Sequence, residues 1–202
     1  MTEQDTYRSL AGPSEGFYKE KGSKFFAFAY PVSSEDDVKQ KLESLKKQYH
    51  DARHHCFAFI LKPEEGREES YRANDDGEPA HSAGDPILWQ IRSNNLYDTL
   101  VVVVRYFGGT KLGVSGLVNA YKTAAADVIS QNMIVRKVIR KPLEIRFSYE
   151  ATNEVIQMID QHDLEIVEQE FTAECRYLLA VASSQWQSVR GHFQQLDGVA
   201  VP

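Results

Sequence analysis

The chain has 202 residues, 42% of them apolar, with ten Phe and ten Tyr and a formal net charge of −6; that is enough apolar material to build a core and excludes a disordered tail. No apolar run approaches the ~18–20 residues that span a bilayer, and Met1–Leu10 has neither the basic start nor the apolar stretch of a secretory signal. Cys56 and Cys175 match neither a metal-knuckle nor a redox spacing, so two reduced, buried thiols and a cytoplasmic location are expected. Residues 1–140 hold 19 Lys and Arg against 19 Asp and Glu, whereas residues 141–202 hold 4 against 10. The imbalance sits wholly in the C-terminal part, which makes that part a poor non-specific nucleic-acid binder and leaves a local basic groove open in the first.

In chain order, Ser14–Lys19 and Lys24–Tyr30 are aromatic-rich runs separated by Lys21-Gly22-Ser23, and they predict an opening β-hairpin closed by Pro31. Ser33 or Ser34 caps a predicted helix with Glu35, Asp36 and Asp37 in its first turn and Lys46 and Lys47 in its last. Val38, Leu42 and Leu45 form its packing stripe. His54–Leu61 reads as a strand, Glu64–Glu69 as a solvent loop, and Tyr71–Ala73 as a short strand before the dense turn signal Asn74–Pro79. Asp85-Pro86 opens the next helix, with Asp as N-cap and Pro in the first turn, and Asn94-Asn95 ends it.

The aliphatic run Leu100–Val104 then predicts a strand buried on both faces. It passes through Arg105-Tyr106-Phe107 into Gly108, Gly109 and Gly113, and from there into a helix over Val114–Ile129. A flexible turn leading into a helix N-terminus presents backbone N–H groups with the positive end of the helix dipole behind them, which suits an anion. Lys111 lies within that turn and adds a full charge. The Gly108-to-Gly113 spacing resembles a phosphate loop in outline, but Val114 stands where such a loop needs Lys, which argues against a nucleotide triphosphatase. The plainer structural reading is that the glycines permit close strand–helix packing.

Beyond Lys141-Pro142 the pattern predicts strand Leu143–Tyr149, helix Ala151–Gln161, strands Leu164–Phe171 and Glu174–Ala182, helix Ser183–Leu196 and strand Gly198–Val201. That is the β-α-β-β-α-β, ferredoxin-like plan. The expected fold class is therefore α+β, in two domains, 1–140 and 141–202.

Three groups of side chains are candidates for chemistry. Arg53 and His54 form an electropositive lip at a strand start, with Asp51 as a candidate ion-pair partner of Arg53. Asp75, Asp76 and Glu78 flank Gly77 closely enough to hold Mg²⁺ through water or to act as acid and base, although turns favour such residues for backbone reasons alone. Tyr106 and Phe107 could stack on bases, with strand alternation sending one of the two outward. His54, His55 and Cys56 do not have metal-ligand spacing, and no metal or other cofactor is expected.

The segments Asp51–His54, Asn74–Pro79 with Ala83-Gly84, and Arg105–Gly113 together resemble the hallmark segments of the IMPACT family, over about Phe17 to Ile134. The resemblance implies an N-terminal β-α-β sandwich like domain IV of elongation factor G and a C-terminal domain like domain V of that factor. It also implies a link to translation, which eukaryotic relatives regulate during amino-acid starvation by competing for an activator of a stress kinase. That contact uses an extra N-terminal module, so this sequence, starting close to the shared domain, gives no expectation of that partner. The favoured expectation is a non-catalytic, translation-linked protein that meets RNA or a ribosomal surface through Arg53, His54, Arg105, Tyr106, Phe107 and Lys111. The alternative is a Mg²⁺-dependent enzyme with phosphate at Gly108–Gly113 and the metal at Asp75, Asp76 and Glu78. A third option is a protein partner at the acidic C-terminal domain; no membrane contact is expected.

Overall fold

The structure, a computed structural model, describes residues 5–63, 69–172 and 174–202. The loop expected at Glu64–Glu69 lies, apart from Glu69, outside the described residues. The chain divides into two compact units: Arg8–Arg136, and Lys137–Pro202 together with the described residues before Arg8. In chain order the elements begin with β1 (Thr6–Leu10), β2 (Ser14–Glu20), β3 (Ser23–Pro31), α1 (Glu35–Gln48), β4 (His54–Leu61) and β5 (Ser70–Asn74). They continue with α2 (Gly84–Ser93), β6 (Thr99–Tyr106), α3 (Gly113–Ser130) and β7 (Ile134–Val138). β1 and β7, neither of them expected from the sequence, pair as a two-stranded ladder.

The larger unit is built on one five-stranded sheet, ordered β2-β3-β6-β4-β5 and antiparallel throughout. β6 lies at its centre because Leu100–Val104 is apolar in both parities, so each face of the strand demands cover. Val101 and Val103 pack with Ile87 and Ile91 of α2 and with Ala120, Tyr121 and Ala124 of α3. Leu100, Val102 and Val104 pack on the opposite face with Val38 and Leu45 of α1. Each of these five strand residues is 0% exposed, and full burial of such a side chain is worth about 1.5–3 kcal/mol. The layers thus run helix, sheet, helix.

The β2–β3 hairpin closes on a two-residue turn in which Lys21 and Gly22 both have positive φ, 44° and 84°, between the paired residues Glu20 and Ser23. That mirror-image turn matches the twist of the flanking strands. Ser34 caps α1, accepting from the Asp37 N–H at 3.2 Å. α2 differs from expectation: it starts at Gly84, and its N-cap residue Ala83 offers no side-chain bond.

The smaller unit contains β8 (Arg140–Phe147), α4 (Thr152–Gln161), β9 (Glu165–Phe171), β10 (Cys175–Ala182), α5 (Trp186–Gln194) and β11 (Val199–Ala200). Its sheet is ordered β11-β8-β10-β9, and its elements follow the β-α-β-β-α-β sequence. Ile145, Phe147, Val155, Leu179, Val189 and Phe193 fill its core. Pro142 lies inside β8, opposite Ala180, and not before it. Ser183–Gln185 forms a separate 3₁₀ turn ahead of α5. Both cysteines are buried and free.

Candidate functional site

Strand register gathers the expected residues at one end of the central sheet. Arg105, near the end of β6, lies between Phe25 of β3 and His54 of β4, and Tyr106 lies opposite Lys24. β5 ends opposite Phe57, so the turn that follows it reaches the same end, and Glu78 meets Arg105 there at 2.6 Å. The residues do not share one surface, however.

Arg105, expected among exposed RNA contacts, is only 6% exposed. Its Nη1 donates to Glu78 Oε1, and its Nη2 donates at 3.4 Å to Ser23 Oγ. The Tyr121 hydroxyl donates to the same Glu78 oxygen at 2.8 Å, and Cys56 Sγ lies 3.3 Å from Tyr121 Oη. The Cys56 thiol also donates to the Asp75 carbonyl at 3.0 Å. Burial pushes the Cys56 thiol and the Tyr121 hydroxyl up from their ordinary values, so both keep their protons. This polar knot sits beneath the sheet end as a structural pin, with the guanidinium carbon of Arg105 5.6 Å from the centre of the Phe25 ring and 5.7 Å from that of Phe107.

The three turn carboxylates face three different tasks. Asp75 Oδ1 accepts from the N–H groups of Ala83 and Gly84 at 2.9 and 2.8 Å, and its Oδ2 accepts from that of His81 at 2.9 Å. It thereby caps α2 from a distance. Burial alone would raise its pKa, but those three N–H donors hold the carboxyl below its ordinary value. Asp76 Oδ2 accepts from the His55 N–H at 2.7 Å, and its carbonyl lies 2.9 Å from His54 Nδ1. His54 is thereby tied to the turn and is not a free cationic lip. Glu78 is committed to Arg105. No group of three or more His, Cys, Asp or Glu among the described residues could hold a metal ion. The expected arrangement of Asp75, Asp76 and Glu78 around Mg²⁺ therefore does not form.

Asp51 is likewise not the partner of Arg53: it accepts from the Tyr106 hydroxyl at 2.6 Å. That hydrogen bond pushes Tyr106 up to about 12 and holds Asp51 below its ordinary value. Arg53 stays exposed beside it.

The loop after β6 does face outward. Phe107, Gly108, Gly109, Thr110, Lys111 and Gly113 are all exposed. Gly108 is engaged with the β2–β3 hairpin: its N–H donates to Ser23 Oγ at 3.2 Å, and a Cβ there would fall 1.9 Å from the Gly22 carbonyl carbon. Gly109 and Gly113, with φ of 87° and 73°, face open space. Among the described residues, the N–H groups of Gly109, Thr110 and Lys111 donate to no other group. α3 begins just beyond, its N-cap Leu112 making no side-chain bond and its first turn holding no acidic residue. Its first amides therefore lack intrahelical partners, and the positive end of its dipole is uncompensated.

Next to this loop lies a groove of about 320 Å³ lined by Gly22, Lys24, Phe26, Tyr49, Tyr106 and Phe107. Both Tyr106 and Phe107 face it. Alternation does not separate them, because Phe107 lies past the last residue of β6. The sequence reading missed Lys24, Phe26 and Tyr49. The alternation of Phe26 with the fully buried Phe25 carried a signal for the first two, whereas nothing local marks Tyr49, which is the C-cap of α1.

The Impact N-terminal domain family matches residues 21–129, more than half of the chain. The chain belongs to the IMPACT family. The IMPACT family member of Haemophilus influenzae is 31% identical over 80% of this chain and 78% of its own. The family member YigZ of Escherichia coli is 30% identical over 76% and 74%. YvyE of Bacillus subtilis reaches 36% over 58% of this chain, a match spanning little more than half, 54%, of the Bacillus protein. The crystal structure of a hypothetical protein superposes with a TM-score of 0.74 at 25% identity, covering 98% of this chain and 96% of its own. All three segments that carry the IMPACT resemblance lie within the matched span, and they build the sheet end described above. No described helix is long and apolar enough to cross a membrane.

Proposed function

We propose that this IMPACT protein is a non-catalytic, translation-linked regulatory protein that binds RNA, including RNA exposed on the ribosome, through the Phe107–Gly113 loop. The observation that carries the reading is the run of unspent amides at Gly109, Thr110 and Lys111, set before an uncapped helix and beside a cationic side chain. Such an arrangement favours a phosphate oxygen twice over, through N–H donors and through the helix dipole. Lys24, Lys111 and Arg53 are exposed and supply positive charge at this sheet end. The link to translation rests on the family resemblance, as does kinship of the two units with domains IV and V of elongation factor G. The absence of catalysis rests on the buried cluster, whose ionisable groups are protonated or paired. A protein partner at the acidic C-terminal unit has less behind it, since Arg176 already faces Glu144, Glu168 and Glu170 at 3.3, 3.4 and 3.8 Å.

Fluorescence anisotropy with a short single-stranded RNA across a salt series tests this. Each lost phosphate contact lowers the slope of log affinity against log salt by about 0.7. The Lys24→Ala/Lys111→Ala double variant should therefore bind more weakly, with a slope shallower by about 1.4. An unchanged affinity and slope would refute the proposal.

A further inference from the structure

Building on that reading, we infer that the groove beside the loop takes an unpaired nucleobase, so that the protein selects single-stranded over duplex RNA. Phe26 lines it, stacked on Tyr49 with ring centres 5.9 Å apart and planes 29° apart, edge-on to Tyr106 at 5.9 Å and 87°, and backed by Phe17 at 5.1 Å. The Tyr106 hydroxyl donates to Asp51 at 2.6 Å, which favours the ring position that lines the groove. Phe107 closes the lip and is 57% exposed, which leaves most of an aromatic ring in water. At about 320 Å³ the groove lies at the small end of ligand sites, which run from about 300 to 1,000 Å³. That size suits one planar group better than a long apolar segment.

Charge selects the occupant. The charged residue lining the groove is Lys24, Lys21 lies in the adjoining hairpin turn, and Lys111 stands in the loop. Asp51, which accepts from Tyr106, and Glu15, which acts on Tyr49, are anions nearby, so the cationic margin is the side carrying Lys21, Lys24 and Lys111. An aromatic slot with a cationic margin matches a base attached to a phosphate backbone, because every base has a π-face and every nucleotide an anion. The loop that ends the slot at Phe107 runs directly into the free amides at Gly109–Lys111, so one segment holds both the ring and the anion donors. A paired base in a duplex has its faces covered by its neighbours and cannot enter.

The test compares one short RNA, single-stranded and annealed to its complement, by anisotropy at fixed salt. The native protein should bind the single strand more tightly. Phe107→Ala should weaken single-strand binding about 5-fold or more and leave duplex binding unchanged, whereas Phe107→Tyr should retain the preference. Lys111→Ala should weaken both forms alike. Equal affinity of the native protein for the two forms, or equal weakening of both by Phe107→Ala, overturns the base slot while leaving RNA binding through the loop intact. Absence of any RNA binding overturns both.

Discussion

Arg105 shows how far one residue's role depends on a distant partner. Read alone, an arginine at the end of a strand is an exposed cation. Glu78, 27 positions earlier, turns it inward, because the turn after β5 delivers a carboxylate to the same sheet end. A buried pair of this kind adds little net stability, but removing one partner strands the other without water. Arg105→Ala should therefore cost about 3–5 kcal/mol in chemical denaturation. Replacing both partners together, as in Arg105→Met/Glu78→Leu, should recover part of that loss. A loss under about 1 kcal/mol for the single variant would mean that the pair is exposed and contributes no more than a surface contact. Arg105 is also a poor choice for testing RNA contact, since its loss would disturb Ser23 and, through it, the Gly108 N–H.

Among the elements, α2 illustrates capping at a distance. The sequence offers Asp85 as a local N-cap, but Asp85 pairs with His81 at 2.6 Å and the cap comes from Asp75. Asp75→Ala leaves three backbone donors without their acceptor. It should destabilise the protein by about 2 kcal/mol, with Asp75→Asn falling between it and the native chain. Equal stability of Asp75→Ala and the native protein in thermal unfolding would contradict the capping role. Elements whose signals are local were legible: the hairpin at Lys21-Gly22, α1 with its Ser34 cap, the apolar β6, and the alternation of the C-terminal unit. β1 and β7 were not, because Thr6–Leu10 and Ile134–Val138 are short and find their partner only across more than a hundred residues. The candidate site was half legible. The loop glycines and Lys111 could be placed from turn chemistry and the following helix, but the groove joins residues from three elements, and its Tyr49 wall has no neighbour in sequence to betray it.

On the scale of the whole molecule, function is confined by charge. Residues 141–202 carry the net negative charge, whereas the sheet end at Phe107–Gly113 combines free amides, lysines and aromatic rings within the span matched by the IMPACT family. A polyanion should therefore meet only one small part of this chain. Backbone amide NMR during titration with a short single-stranded RNA reads that part directly. The account predicts that the largest shifts fall on Gly109, Thr110, Lys111 and Gly113, with smaller ones at Gly22 and Lys24, and that residues 141–202 stay in place. Shifts concentrated anywhere else, or none at the loop while RNA is bound, would contradict it.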